Sequence, residues 1–407
     1  MMTTEGPVAQ PSPLASSYAC RVCASDALRE LETFRSLPRV ASDSRPWPAG
    51  GNLAVCTNCG TVQKLPDARW LAEIAEIYGS YSIYHQSEGA EQPIFCGDGQ
   101  PPQPRSAHLA AYLEKALELP DDLTMLDFGC GTGSALRTFS ARHHWALYGC
   151  ELSEANRAKL HSIPGFVELF VCPPTQIPRT FDLITMIHSL EHVTEPVQTL
   201  SGLSERLAEN GNLFVQVPDC GTTPYDLIIA DHLSHFTLAT LKYAAQRAGI
   251  QPIFLSDTVL RKELTLIGRK LLNAGRDIDP PNAHSGIRQV ERQVDWLRAQ
   301  GDAARKLAAG SPKLGIFGTS ISATWLHGFV SERAAFFVDE DPGRIGREHL
   351  GLPILAPDAV PTSADVYVPL IPEVAEAVAA RLRRHGVRCH TPPAIEIEQD
   401  KREAAVL

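Results

Sequence analysis

The chain lacks the features that mark membrane and nucleic-acid proteins. No apolar run reaches about 18 residues, so no membrane span is expected. Residues Met1 to Ser17 are small, polar and proline-containing, without the basic-then-apolar order of a secretory signal. They read as a loose tail, and a cytoplasmic protein is the expectation. Positive charge is also short: 37 Lys and Arg face 47 Asp and Glu, a formal net charge of −10. Phosphate contacts need clustered cations, so the expected partner is a small-molecule or nucleotide-linked substrate rather than a nucleic acid. Ten cysteines in 407 residues are too few for a disulfide framework.

What is present is an ordinary core-building composition, 44% apolar and 21% charged, in a length that suggests two or three domains. The chain turns on Thr124-Met-Leu-Asp-Phe-Gly-Cys-Gly-Thr-Gly-Ser134. A short apolar run ends at Asp127, glycines follow at 129, 131 and 133, and a helical pattern begins at Ala135. Glycines permit a tight strand-to-helix turn and let a ligand reach the main chain, where the helix offers unpaired N–H groups. Ala146-Leu-Tyr-Gly-Cys-Glu151 then supplies, about 20 residues on, an acid at the end of the next strand to hold ribose hydroxyls.

Four cysteines form two matched knuckles, Cys20-Arg-Val-Cys23 and Cys56-Thr-Asn-Cys59. Two such pairs complete a tetrahedron around zinc, so Cys20, Cys23, Cys56 and Cys59 are the expected ligands of a structural Zn²⁺. Tyr78, Tyr81, Tyr84 and His85 share a Gly/Ser-bearing loop that fits a substrate-facing lid and inter-lobe packing equally well.

From Ser106 to Lys270, helical patterns alternate with buried apolar runs such as Phe181 to His188 and Gly211 to Pro218. That order predicts a doubly wound α/β sheet. A helix is expected over His235 to Gly249, and a strand pair over Ile253 to Lys270 reversing near Arg261-Lys262. A charged helix spans His284 to Gly310, and a second strand-turn-helix opens at Leu314-Gly-Ile-Phe-Gly-Thr-Ser320. The expected organisation is a tail (1–17), a zinc-binding lobe (18–80), a cofactor domain (81–270), a helical connector (271–310) and a C-terminal Rossmann-like α/β domain (311–407).

The Asp-x-Gly-x-Gly-x-Gly spacing resembles motif I of class I S-adenosylmethionine (SAM)-dependent methyltransferases, not a dinucleotide fingerprint. The resemblance implies a Rossmann-like methyltransferase domain whose SAM site is built from Asp127, Phe128, Gly129, Cys130, Gly131, Gly133, Glu151 and Leu152. Cysteine knuckles, a SAM domain and a C-terminal α/β domain, in that order, resemble the three-domain nucleotide-sugar C-methyltransferases. So do Ser80-Tyr81-Ser82, a histidine after the fourth strand (His188), and Val338-Asp-Glu-Asp-Pro-Gly-Arg-Ile-Gly-Arg347. The family's Tyr-x-Glu-His is represented by Ile229-Ala-Asp231-His232, without the tyrosine. Cys172 to Pro178 holds no acid for the adenine amino group, which leaves main chain and apolar contacts.

Carbon methylation beside a carbonyl requires a base and a partner for the enolate oxygen. The expectation is His232 as general base, Asp231 orienting it, and His188 and Tyr81 binding or polarising the substrate oxygen. Glu191 and His192 read as stabilising the helix after the fourth strand. Two other readings stand beside C-methylation: O- or N-methylation of a secondary-metabolite scaffold, and a non-catalytic zinc- and SAM-binding module.

Overall fold

The computed structural model describes residues 19–79, 93–94, 103–271, 278–395 and 405–406. The tail and Tyr81 lie outside them.

Apolar runs without a polar interval need cover on both faces, and the central sheet provides it. Its order is Phe166–Phe170, Ala146–Cys150, Thr124–Phe128, Phe181–Ile187, Leu207–Pro218, Glu263–Lys270 and Ile250–Ser256, with Ala405–Val406 at the edge. The first five strands are parallel, and Glu263–Lys270 runs antiparallel to both of its neighbours. Successive side chains divide between the faces. Met125 and Leu183 join the core under the helices Arg105–Ala116 and Ser134–Ser140; Leu126 and Ile184 join the core under Pro196–Ser204 and Leu238–Arg247. The expected doubly wound sheet is therefore present.

The helix expected from His235 begins at Leu238, where Thr237 accepts from the Thr240 amide in a capping box. Ser234–His235 is instead a short strand, paired antiparallel with Val62–Lys64 of the cysteine lobe. One four-stranded sheet, ordered Leu28–Glu30, Leu53–Cys56, Val62–Lys64, Ser234–His235, thus draws on residues either side of position 80.

Ala283–Gly310 is a 28-residue helix, about 42 Å long at 1.5 Å per residue. Gln293 Nε2 donates to the Cys220 carbonyl (2.6 Å), and Trp296 Nε1 donates to that of Pro393 (2.8 Å), so the helix ties the central sheet to the C-terminal segment. Beyond it lies a second, mostly parallel sheet of six strands. Among the described residues no helix is long and apolar enough to cross a membrane.

Candidate active site

The turn after Thr124–Phe128 requires its glycines. Gly129, Gly131 and Gly133 have φ of +78°, +52° and +87°, a region that side chains disfavour. At Gly129 a Cβ would also stand 2.6 Å from that of Ser189. Ser189 Oγ donates to the Phe128 carbonyl (2.9 Å), joining this turn to the end of the neighbouring strand. The Cys130 side chain is buried, so its backbone is what it can offer a ligand. The Gly131 amide donates to Glu151 Oε1 (2.5 Å), and Leu152 beside it is 83% exposed. A carboxylate at the turn and a bare apolar side chain next to it fit the ribose and adenine of SAM. Asp127 lies beneath, accepting from Thr185 Oγ1 (2.7 Å); burial pushes its carboxyl up to about 7, against that hydrogen bond and helped by the Glu151 charge.

His188 follows Phe181–Ile187 with φ of +49°, rare for a residue with a side chain and typical of functional sites. Its Nδ1 lies 3.3 Å from Glu191 Oε1 and its Nε2 3.2 Å from Glu263 Oε2. Burial alone would lower the imidazole, but the Glu263 carboxylate outweighs it and the pKa rises to about 9. His188 is therefore a cation at neutral pH. Glu263 is held in turn by Arg105 Nη2 (2.8 Å) and Gln216 Nε2 (2.9 Å). Neither the buried Nε2 of His188 nor either oxygen of buried Glu191 has a well-directed hydrogen bond to protein. His188, Glu191 and Glu263 thus form a buried ion-paired cluster just past the end of the strand.

His232 comes from the loop after Leu207–Pro218 and meets this cluster. Its ring lies 4.7 Å from that of His192, edge-on. The expected orienting partner, Asp231, does not hold it. Asp231 accepts instead from the Ser42 amide (2.8 Å) and hydroxyl (2.5 Å), because the backbone turns its side chain toward the cysteine lobe. Asp226 takes the role: its two oxygens lie 2.7 Å from Nδ1 of His232 and 2.7 Å from Nδ1 of His235. Burial would raise the Asp226 carboxyl, but the two imidazoles outweigh it and hold it well below the usual range. An ionised carboxylate only accepts, so Nδ1 of His232 carries the proton and Nε2 presents a lone pair. His192 follows the same logic, with Nδ1 3.0 Å from the Asp231 carbonyl; burial, then His232, lowers its pKa.

His188, His232 and Asp231 are therefore brought together, with Glu191, His192, Asp226 and Glu263 added. Sequence reading missed Asp226 because it sits six residues before His232 in a Thr-Pro-Tyr-Asp turn with no motif of its own. Glu263 was hidden on the returning antiparallel strand. Glu191 and His192, in the short helix Leu190–His192 after the fourth strand, also contact His188 and His232 respectively.

The four knuckle cysteines converge. Cys20 and Cys59 Sγ are 3.5 Å apart, as are those of Cys23 and Cys56, and all four lie within 4.8 Å of one another. Tetrahedral zinc with Zn–S of about 2.3 Å sets S···S edges of about 3.8 Å, so the donor set fits Zn²⁺. In the C-terminal sheet, the acid after the Gly318 turn, Asp339, already accepts from Thr319 Oγ1 (3.2 Å) and lies 3.4 Å from Arg344 Nη1.

Over 113 residues the chain is 27% identical to a ubiquinone biosynthesis O-methyltransferase of Saccharophagus degradans, covering 26% of this chain and 47% of that protein. It thus spans about half the length of the curated relative it matches. Among solved structures, an S-adenosylmethionine-dependent methyltransferase from Clostridium acetobutylicum is similar at 12% identity and a TM-score of 0.34, over 50% of this chain and 98% of that one. A SAM-bound amino pentose methyltransferase from Micromonospora echinaspora is similar at 20% identity and a TM-score of 0.32, over 40% and 90%. Residues 104–253, which carry the glycine turn, Glu151, His188 and His232, match the family described as a methyltransferase domain.

Proposed function

We propose that the protein is a SAM-dependent methyltransferase that uses a histidine base, and that its substrate is a nucleotide-linked ketosugar or a related small metabolite methylated on carbon. The observation that carries this reading is the buried Asp226–His232 pair, placed beside the His188–Glu191 ion pair at the carboxyl edge of the sheet. Ligands of open α/β sheets bind at that edge.

Asp127, Phe128, Gly129, Cys130, Gly131, Gly133, Glu151 and Leu152 would hold SAM, through main chain at the turn, the Glu151 carboxylate at the ribose and Leu152 at the adenine. When bound, SAM supplies a methyl group already activated on a sulfonium. His232 Nε2 takes the proton from the carbon next to the substrate carbonyl, and Asp226 stabilises the imidazolium that forms. The His188 cation would offset the negative charge that collects on the substrate oxygen. The substrate carbon that His232 deprotonates would be the acceptor of that methyl group. A positioned base contributes about 10²–10⁴-fold, and alignment of carbon, methyl and sulfur supplies much of the remainder. Tyr81, outside the described residues, keeps its expected role of binding or polarising the substrate oxygen. Cys20, Cys23, Cys56 and Cys59 would hold a structural zinc that orders the N-terminal lobe.

The test is incubation of the purified protein with SAM and candidate ketosugar nucleotides, followed by mass spectrometry. The expected product gains one methyl on carbon. Methyl on oxygen or nitrogen would shift the reading to O- or N-methylation, which Ile229 favours by standing where the resembling family has tyrosine. The same His232 base would then deprotonate a hydroxyl or amine.

A further inference from the structure

The loop that carries His232 is held less by the central sheet than by the cysteine lobe. Val40 N donates to the Ile228 carbonyl (3.1 Å), and Ala230 N donates back to Val40 (2.8 Å). Trp70 Nε1 donates to the Ala230 carbonyl (3.2 Å), and Ser42 grips the Asp231 carboxylate through its amide and hydroxyl. Lys64 N donates to Leu233 (2.8 Å), and Ser234 and His235 then pair in register with Gln63 and Val62. The remaining carbonyls, those of Ile229 and His232, both accept from the Lys64 ammonium, at 2.8 Å in the case of His232. Each backbone carbonyl from Ile228 to Leu233 is thereby accounted for, that of Asp231 by His192.

Lys64 is an unusual residue for this duty. Its side chain is fully buried, and desolvating an ammonium is costly unless partners repay it. Its Nζ reaches two carbonyls, three residues apart, and fixes the turn between them. Burial pushes its amine down to about 7, against Asp226 and Asp231, which favour the charged form.

We infer that Lys64 is a positioning residue for methyl transfer: by clamping the Ile229 and His232 carbonyls it makes the N-terminal lobe the mould for the loop that aims the base. The inference rests on the reading of His232 as that base. It also gives the lobe a part in the reaction, since Lys64 lies five residues after Cys59, on the strand that leaves the second knuckle. A displacement of about 1 Å in a reacting group is enough to cost about 10²-fold in rate.

The experiment compares wild type, Lys64→Met and His232→Ala in the full chain, by backbone hydrogen exchange, SAM titration and the initial rate with the acceptor found in the mass assay. Lys64→Met is expected to quicken exchange across residues 228–235 but not in Thr124–Phe128. SAM affinity should stay within about twofold while kcat falls at least about tenfold, a split that general destabilisation does not produce. The ¹⁵N signal of the His232 ring, which reports its tautomer without any acceptor, should broaden or shift. Unchanged exchange in 228–235 overturns the inference whatever the rate does. An unchanged kcat in Lys64→Met with a lost one in His232→Ala overturns it too and leaves the base in place; an unchanged kcat in His232→Ala instead removes the base itself. If Lys64→Met does not fold, Trp70→Phe and Ser42→Ala each delete one grip on the same loop, and both are expected to quicken exchange there; failure of both to do so overturns the inference equally.

Discussion

Asp226 Oδ1 lies 2.7 Å from His232 Nδ1, while Asp231, adjacent to His232 in the chain, spends its carboxylate on Ser42. The two acids are accordingly expected to fail differently. Asp226→Asn should lower kcat by about 10²-fold or more at unchanged SAM affinity, because the amide no longer fixes the tautomer or stabilises the imidazolium. Asp231→Asn should cost less in rate and act mainly on the order of residues 228–235. Steady-state kinetics of the pair check this; equal losses would return Asp231 to the orienting role.

The His188–Glu263 contact makes a pH prediction. His188 is raised from 6.5 to about 9, so its share of stability is fully present below 6.5 and is lost as pH rises through about 9. Glu263 is lowered from 4.5 to about 2, because His188 and Arg105 outweigh its burial; its share is present above 4.5 and is lost as pH falls through about 2. The stability difference between wild type and Glu263→Gln, read from urea midpoints, should therefore be largest between pH 4.5 and 6.5. In that variant the His188 titration followed by NMR should move below 9, since a carboxylate that favours the cation is gone.

Much of the fold was legible because burial imposes a pattern. Phe181–Ile187 reads as a strand covered on both faces, and Gly129, Gly131 and Gly133 announce a turn that only their backbone angles allow. The site was legible where it follows directly from a strand end, at Glu151 and His188. It was not legible where partners come from elsewhere in the chain. Lys64 and Ser42 precede the loop they hold by 168 and 189 residues, and no local pattern marks such pairings. The helix start expected at His235 failed for the same reason: the lobe supplies a strand partner that local propensity cannot register.

For the cysteine cluster, one zinc per chain is expected by metal analysis, and Cys56→Ser should reduce it well below one. The variant should also melt at a lower temperature, because the free energy of metal binding adds to that of folding. Unchanged zinc content in Cys56→Ser would remove the metal assignment.

Gly129→Ala tests the turn sterically. The new methyl would meet Ser189 at 2.6 Å in a backbone region that alanine disfavours, so stability should fall by more than about 1 kcal/mol and SAM binding should weaken with it. Ser189→Gly in the same chain should recover part of both losses, as relief of a specific clash would.

The most direct measurement is calorimetric titration of SAM into wild type and Glu151→Ala. The account predicts one site per chain in the wild type and about tenfold or greater weakening in the variant, the loss of a hydrogen bond to a charged acceptor being worth about 1.5–3 kcal/mol. No heat in the wild type, or equal affinity in the two proteins, would contradict it.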